Sequence, residues 1–384
     1  MSELNDLITK LCPNGVPYKK LGDLCVSGNK GMLKKNELIP DGKYPVVNGG
    51  MNYYGRYNQY NNDKECFVFS SRGSAGYVSY QRAPFYAAAL CYPFMSSNEN
   101  IIMTRFMYFF LKQNEAKNID KLVAKGSIPA LNKADVLNIE IPVPPLPVQE
   151  EVVRILDSFT ELEAELEAEL VDRKKQYEYY RDYLLDKNTL ERMDDKPIEM
   201  KKLGDLCTIE TGRLNANKAV DDGAYPFFTT AEKTSRIDSY RWDTEALLIA
   251  GNANVGSVKH YIGKFEAYQR TYVLTNFNKD INVRFLFHFI RAFLKNYLSN
   301  KSNSAAMTYI VLSTLKNFMV LLPPLSVQER IVDILDRFDT LTTSLTDGIP
   351  AEIAMRREQY EYYRSRLLDF PRLPDGSASV SDGE

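Results

Sequence analysis

The chain has 384 residues, 44% hydrophobic and 26% charged, with a formal net charge of -2. That length accommodates two or three domains, and no apolar run approaches the roughly 20 residues that cross a bilayer. Five scattered cysteines, Cys12, Cys25, Cys66, Cys91 and Cys207, form no CxxC pair; this argues against a disulfide framework or zinc site and for a reducing cytoplasm, and the polar N-terminus does not read as a signal peptide.

Residues 1–18 read as a lead-in, with a helix over Leu4–Leu11 and a turn at Pro13-Asn14-Gly15. Lys19-Lys20-Leu21-Gly22-Asp23-Leu24-Cys25 follows and returns intact at 201–207. The first globular stretch then predicts a strand at Tyr44–Val47 running into Gly49-Gly50, a tyrosine-rich segment from Tyr53 to Tyr60, and a buried strand at Cys66–Ser70. After the loop Ser71-Arg72-Gly73-Ser74-Ala75-Gly76-Tyr77 come a helix at Phe106–Lys112 and a last strand at Leu137–Val143. The second stretch repeats this order, with strands at Tyr225–Phe228 and Ala246–Ala250, a loop Gly251-Asn252-Ala253-Asn254-Val255-Gly256, and a helix at Phe285–Leu298. Scaffold positions agree between the copies while loop residues differ, as in two recognition modules with different targets.

Each globular stretch leads into a long amphipathic segment. Pro144-Pro145-Leu146-Pro147-Val148-Gln149-Glu150 recurs as Pro323-Pro324-Leu325-Ser326-Val327-Gln328-Glu329, and both copies end in Gln-Tyr-Glu-Tyr-Tyr-Arg. Apolar residues at Val148, Val152, Ile155, Phe159, Leu162 and Leu166 step by four and three; Val327, Ile331, Ile334, Phe338, Leu341 and Leu345 repeat the pattern. That spacing is a coiled-coil seam, and the simplest partner for each copy is the other, paired antiparallel. The copies differ by one four-residue unit. The first carries Glu-Ala-Glu-Leu repeats within 161–170, and the second has Asp347-Gly348-Ile349-Pro350 instead. Gly ends helices and Pro suits a first turn, so a continuous first helix and a broken second one are expected.

Charge is segregated along the chain. Lys+Arg exceed Asp+Glu by 5 over residues 1–145 and by 6 over 201–322, while the helical segments 146–200 and 323–384 carry net charges of -8 and -5. Basic modules suit a polyanion, and acidic helices are repelled by one. Catalytic signatures are missing: the chain has no GxxxxGK[ST], HExxH or GxSxG motif. The Pro-Pro pairs lack the flanking residues of an amino-methyltransferase motif. The only histidines, His260 and His288, read as packed or surface residues. Arginine bonds guanine bidentately, Asn or Gln does so with adenine, and Ser hydroxyls and Gly amides suit phosphate. Candidate DNA contacts are therefore Lys34, Lys35, Asn48, Tyr53, Arg56, Ser71, Arg72, Ser74, Tyr77 and Lys125 in the first half. In the second they are Arg213, Asn215, Lys218, Thr230, Lys233, Arg236, Asn252, Asn254, Lys259 and Arg270. A coiled-coil adaptor with two sugar- or peptide-binding modules accounts for the repeat but not for the basic bias; no nuclease or methyltransferase core fits.

The Leu-Cys-Pro-Asn-Gly-Val lead-in at 11–16, the repeated Lys-Lys-Leu-Gly-Asp-Leu-Cys, Pro-Pro-Leu-x-Val-Gln-Glu and Ile-Leu-Asp-x-Phe motifs, and the tyrosine-rich helix ends together resemble the specificity subunits of type I restriction-modification systems, over nearly the whole chain. The resemblance implies an α+β fold: two target-recognition domains of mixed α/β structure, separated by two long helices packed as an antiparallel coiled coil, with internal pseudo-two-fold symmetry. The expected division is a lead-in at 1–18, recognition domains at 19–143 and 200–322, helical spacers at 144–199 and 323–370, and a flexible tail at 371–384. It implies a non-catalytic subunit that binds a bipartite double-stranded DNA site and docks two methyltransferase subunits, with restriction subunits joining the complex. S-adenosylmethionine, ATP and Mg would belong to those partners, and the chain itself would hold no cofactor or metal. Partner-interface candidates are Val152, Ile155, Phe159, Tyr177, Tyr180, Ile331, Ile334, Phe338, Tyr360 and Tyr363. A helix of some 37 residues spans roughly 55 Å at ~1.5 Å per residue, against roughly 34 Å for one turn of DNA. The Glu-Ala-Glu-Leu count is thus expected to set the gap between half-sites.

Overall fold

A computed structural model describes residues 2–194, 197–301 and 309–374. The chain divides into a first unit, Met1–Glu165 with Ile353–Glu384, and a second, Leu166–Glu352. The boundaries fall inside the helical segments, so each unit contains a globular module and part of both helical copies.

The strands of the first unit are β1 (Tyr18–Lys20), β2 (Cys25–Ser27), β3 (Tyr44–Val47), β4 (Gly55–Tyr57), β5 (Cys66–Ser70), β6 (Val78–Gln81), β7 (Tyr86–Ala87), β8 (Cys91–Ser96) and β9 (Glu140–Pro142). They pair as β1-β9, β2-β8-β5-β6 and β4-β3-β7. The second unit has β10 (Glu199–Lys202), β11 (Thr208–Thr211), β12 (Tyr225–Phe228), β13 (Ser235–Ile237), β14 (Trp242–Ala250), β15 (Val258–Ala267), β16 (Thr271–Thr275) and β17 (Met319–Leu322). Here β10 pairs with β17, and the rest form one sheet ordered β11-β16-β14-β15-β12-β13. The topologies match once β6 and β7 are read as two pieces of the strand that β15 makes whole. In the first unit Pro84 lies in the gap and has no N–H to continue a ladder; in the second, Gly263 at φ 125 lets the strand bend without a break.

Side chains alternate across each central strand. In β5, Phe67 and Phe69 face Phe94, Phe106 and Phe109 in the main core, while Cys66 and Val68 face Phe85 and Ala87 on the other side. In β14, Leu247 and Ile249 face Phe285 and Phe289, while Ala246 and Leu248 face Phe228, Trp242 and Phe265. Most of the recognised strands and helices form where expected, the module helices as Thr104–Gln113 and Val283–Lys301, but the strand expected at Leu137–Val143 is confined to Glu140–Pro142, with Leu137 ending a short helix. All five cysteines are free thiols.

The first helical copy is unbroken over the 39 residues Leu146–Leu184; the second is split into Leu325–Thr343 and Ile349–Leu367. The first of these helices ends at Thr343, five residues before Gly348. Gly348 instead packs against the carbonyls of Thr340 and Leu341, where a Cβ would collide, and Pro350 sits in the first turn of the following helix.

The helical copies pair antiparallel as expected, but only part of each seam makes the contact. Val148 and Val152 are buried in the first module's core with Leu156, and Val327 and Ile331 in the second's with Leu335. Ile334 and Leu345 face solvent, at 39% and 82% exposure. Heptad spacing records an apolar stripe but not what covers it, and each stripe starts on its own module. The helical copies meet further along through aromatic pairs. In the first unit Phe159 stacks on Tyr363 at 5.5 Å and packs near Tyr360, and Glu163 pairs with Arg357, an antiparallel register. In the second unit Tyr180 stacks on Phe338 at 5.6 Å, with Tyr177 at 6.4 Å.

The tail expected at 371–384 is tied down where it begins. Residues 375–384 lie outside the described residues, but Pro371–Leu373 are held: Val16 N donates to Pro371 O at 2.8 Å, Leu373 N to Val16 O at 3.0 Å, and Arg372 pairs with Glu140.

Candidate nucleic-acid interface

In the first unit four segments meet at one end of the sheets. They are the turn after β3 (Asn48–Gly50), the β5–β6 loop (Ser71–Tyr77), the β7–β8 turn (Ala88–Leu90) and the segment Ala124–Leu131. Ser74 N donates to Gly49 O at 2.7 Å, Ser71 N to Leu90 O at 2.9 Å, and Leu131 N to Ser71 O at 2.9 Å. Asn48 Oδ1 accepts from Leu90 N at 2.9 Å. Gly73 lies at φ 75, and a Cβ there would sit 2.7 Å from Gly49 O, so the loop's closest approach requires glycine.

The second unit reproduces this framework. Gly251 N donates to Arg270 O at 2.9 Å and Ile310 N to Gly251 O at 2.8 Å. Asn254 Nδ2 donates to Thr230 O at 2.9 Å. Gly76 and Gly256 both take positive φ, as do Gly73 and its counterpart Ala253 at φ 54. An alanine in that region is strained, and it is held there by the surrounding bonds.

The framework divides the predicted contacts into two groups. Most of the first group is committed internally. Arg56 Nη2 donates to Lys43 O at 2.8 Å and its Nε to Gly42 O; Arg236 makes the same clasp on Ala224 and Gly223. Asn48 holds the β7–β8 turn, and Ser71 and Thr230 are buried at 6% and 9% exposure. Lys259 Nζ bonds Glu232 O at 2.6 Å, Thr234 Oγ1 at 3.1 Å and Ala231 O at 3.2 Å; burial lowers its pKa, against the opposing pull of Glu232. Asn252 Oδ1 is buried and lacks a partner among the described residues. Tyr77 is half-buried with Lys112 4.1 Å from its ring centre, and burial, then Glu115 and Tyr53, raise its hydroxyl pKa. Lys125 pairs with Asp120 at 3.4 Å.

The second group faces outward. Lys34, Lys35 and Arg72 in the first unit, and Arg213, Asn215, Lys218, Lys233 and Arg270 in the second, are exposed. None has a side-chain hydrogen bond or ion pair among the described residues. Ser74 is half-buried and Asn254 exposed. Tyr53 exposes its ring while its hydroxyl donates to Gln81 at 3.2 Å. Met32, Met51, Leu90 and Ile128 add exposed apolar surface to the first unit's loops.

Sequence reasoning missed the residues that fix each module to its helix. Gln149, fully buried, accepts from Met103 N at 2.8 Å and donates to Ile101 O at 2.9 Å and Pro144 O at 2.8 Å. Gln328, also fully buried, bonds Asn282 N at 2.8 Å, Asp280 O at 2.9 Å and Pro323 O at 2.7 Å. Arg105 pairs with Asp157 in the first unit and Arg284 with Asp336 in the second. The constant offset of 179 between these residues was the available signal. His288, fully buried, takes the place of Phe109 and donates from Nε2 to Asp336 at 2.6 Å, with Tyr177 Oη 3.4 Å from Nδ1. Burial lowers the His288 pKa despite Asp336. Burial would raise the Asp336 carboxyl, but its bonds to His288 and Arg284 outweigh that and hold it at about 2. Near neutral pH the pair is therefore a neutral imidazole donating to a carboxylate.

Among the predicted partner-interface residues, Val152 and Ile331 are fully buried and Tyr177 nearly so, leaving no surface to offer. Ile155, Phe159, Phe338, Tyr360 and Tyr363 are half-buried; Tyr180 and Ile334 are exposed. Tyr179 and Tyr183, exposed and stacked with 6.2 Å between ring centres, were not predicted. No helix among the described residues is long and apolar enough to cross a membrane, and none of their His, Cys, Asp and Glu side chains cluster as a metal site.

A family model described as the type I restriction modification DNA specificity domain matches residues 13–172 and 195–355. The chain is 35% identical over 233 residues to a putative type I specificity subunit of Mycoplasma pneumoniae, covering 59% of this chain and 91% of that protein. A putative type I restriction enzyme specificity subunit of Haemophilus influenzae is 29% identical over 370 residues, 87% of this chain and 93% of that one. The EcoR124I/EcoR124II specificity subunit of Escherichia coli is 31% identical over 307 residues, 72% and 73% respectively. The crystal structure of a type I restriction-modification S subunit from M. genitalium shares the fold, with a TM-score of 0.68 at 19% identity, covering 93% of this chain and 97% of that one.

Proposed function

We propose, for a chain that belongs to the type I restriction-modification DNA specificity family, that each unit reads one half of a bipartite double-stranded DNA site. One observation carries the reading: the same hydrogen-bonded loop framework occurs in both units and carries different side chains at matching positions, Arg72 and Leu90 in one, Asn252 and Arg270 in the other. Exposed lysines and arginines around it supply phosphate contacts, which position a duplex without reading it. The chain acts as a non-catalytic specificity subunit in the cytoplasm. Two methyltransferase subunits dock on the helical segments through exposed aromatic residues such as Tyr179, Tyr180 and Tyr183, and restriction subunits join through the complex. S-adenosylmethionine, ATP and Mg serve those partners.

The test is a map of methylated sites in cells expressing the chain with its methyltransferase partner. A split motif with a fixed gap is expected; methylation without a split motif, or DNA binding insensitive to salt, rejects the reading. Deleting Glu163–Leu166 shortens the helix by about 6 Å and is expected to change the gap by up to ~2 base pairs. An unchanged gap rejects the spacer role.

A further inference from the structure

The two units place their exposed arginine on different loops of one framework. Ser71 N bonds Leu90 O, and Gly251 N bonds Arg270 O, each at 2.9 Å. Leu90 and Arg270 are therefore corresponding positions on the turn that leads into β8 and β16. Arg72 follows Ser71 as Asn252 follows Gly251, and each bridges a neighbouring segment, Arg72 with Ala130 and Asn252 with Tyr309. Going from the first unit to the second, Arg becomes Asn on one loop and Leu becomes Arg on the other. Arg270 lines a 330 Å³ recess with Gly251, Gln269, Tyr272 and Tyr309.

Both arginines are exposed and unpaired among the described residues, whereas Arg56 and Arg236 at the edge of the same modules are bound to backbone carbonyls. An unpaired guanidinium beside a recess is free to form two parallel hydrogen bonds with one acceptor pair. Neighbouring Leu90, 38% exposed, offers an apolar contact of the kind that thymine methyls accept.

Building on the half-site reading above, we propose that Arg72 and Arg270 are the guanine-reading residues of the first and second units, each donating to O6 and N7 of a single guanine. Their placement on different loops gives the two half-sites their guanine at different positions relative to the shared framework, with Leu90 favouring thymine where Arg270 reads guanine.

The experiment maps methylated sites for the full chain with its methyltransferase partner, comparing the unaltered protein with R72L, R270L, R270K and R270Q. A split motif for the unaltered protein upholds the half-site reading by itself. R270L is then expected to relax one guanine in one half only, with discrimination at that base falling about 5- to 150-fold. R72L does the same in the other half. R270Q shifts that position from guanine towards adenine, because Gln pairs bidentately with adenine. Lysine still donates to guanine O6 and N7 but lacks the fixed fork, so R270K keeps part of the preference that R270L loses. An unchanged motif in R270L and R270Q, or a uniform loss of methylation without a change in motif, makes Arg270 a phosphate contact and overturns the assignment.

Discussion

Replacing Gln328 with Leu removes three hydrogen bonds at once without changing the length of the side chain much. Gln328 is fully buried and joins Asn282 N, Asp280 O and Pro323 O. Leu meets none of them. The Pro323 carbonyl is left in a buried position, while the Asp280 carbonyl regains some water because that residue is exposed. A buried group left unsatisfied costs about 1–3 kcal/mol, so with partial rehydration the total is about 3–5 kcal/mol. That is a large share of the roughly 5–15 kcal/mol that holds a domain folded. Denaturant unfolding of Q328L measures the loss, and hydrogen exchange at the Asn282 amide, deprived of its acceptor, locates it. The same change at Gln149 exposes the Met103 amide in the first unit. A loss below about 0.5 kcal/mol, or unchanged protection at Asn282, refutes the view that this glutamine fastens the second module to its helix.

The His288–Asp336 pair makes the second unit's stability depend on pH in two steps. His288 is held below its ordinary 6.5 by burial, so the unfolded chain takes up the proton first and stability falls as pH drops below about 6.5. Asp336, held at about 2 against an ordinary 3.8, contributes stability above 3.8 that is lost as pH falls towards 2. H288F places at this site the residue type that the first unit has at Phe109, and is expected to remove the upper step while Arg284 preserves part of the lower one; thermal melts from pH 7 to 3 check this, and an unchanged upper step refutes it. In the first unit Arg105 pairs with Asp157 and lies 4.3, 4.5 and 5.1 Å from the ring centres of Tyr80, Phe109 and Tyr108. R105A loses the pair and the packing together and is expected to cost about 2–4 kcal/mol, with R105K recovering less than half; a loss within 0.5 kcal/mol on denaturation contradicts this role.

Much of the architecture was legible in the order of residues. The apolar runs at Cys66–Ser70 and Ala246–Ala250, the paired prolines before each helix, and the Asp347–Pro350 insertion were enough to place the central strands, both helix entries and the break in the second helical copy. These features are local, since a short apolar run and a proline's missing N–H act whatever lies across the core. The duplication also marked Gln149, Asp157 and Arg105 by repeating them at a constant interval, although only their contacts explain the repetition.

Tertiary structure decided what each polar or apolar group faces. Arg56 and Arg72 are the same residue type in the same module, yet one clasps backbone carbonyls and the other projects from a loop. The seam residues Val152 and Ile331 have the spacing of a helix–helix contact and lie instead in the module cores. A guanidinium donates equally well to a carbonyl, a phosphate or a guanine, and an isopropyl group packs against any apolar surface. Residue type therefore sets what a side chain can bond, and the positions of distant segments set which of those bonds it makes.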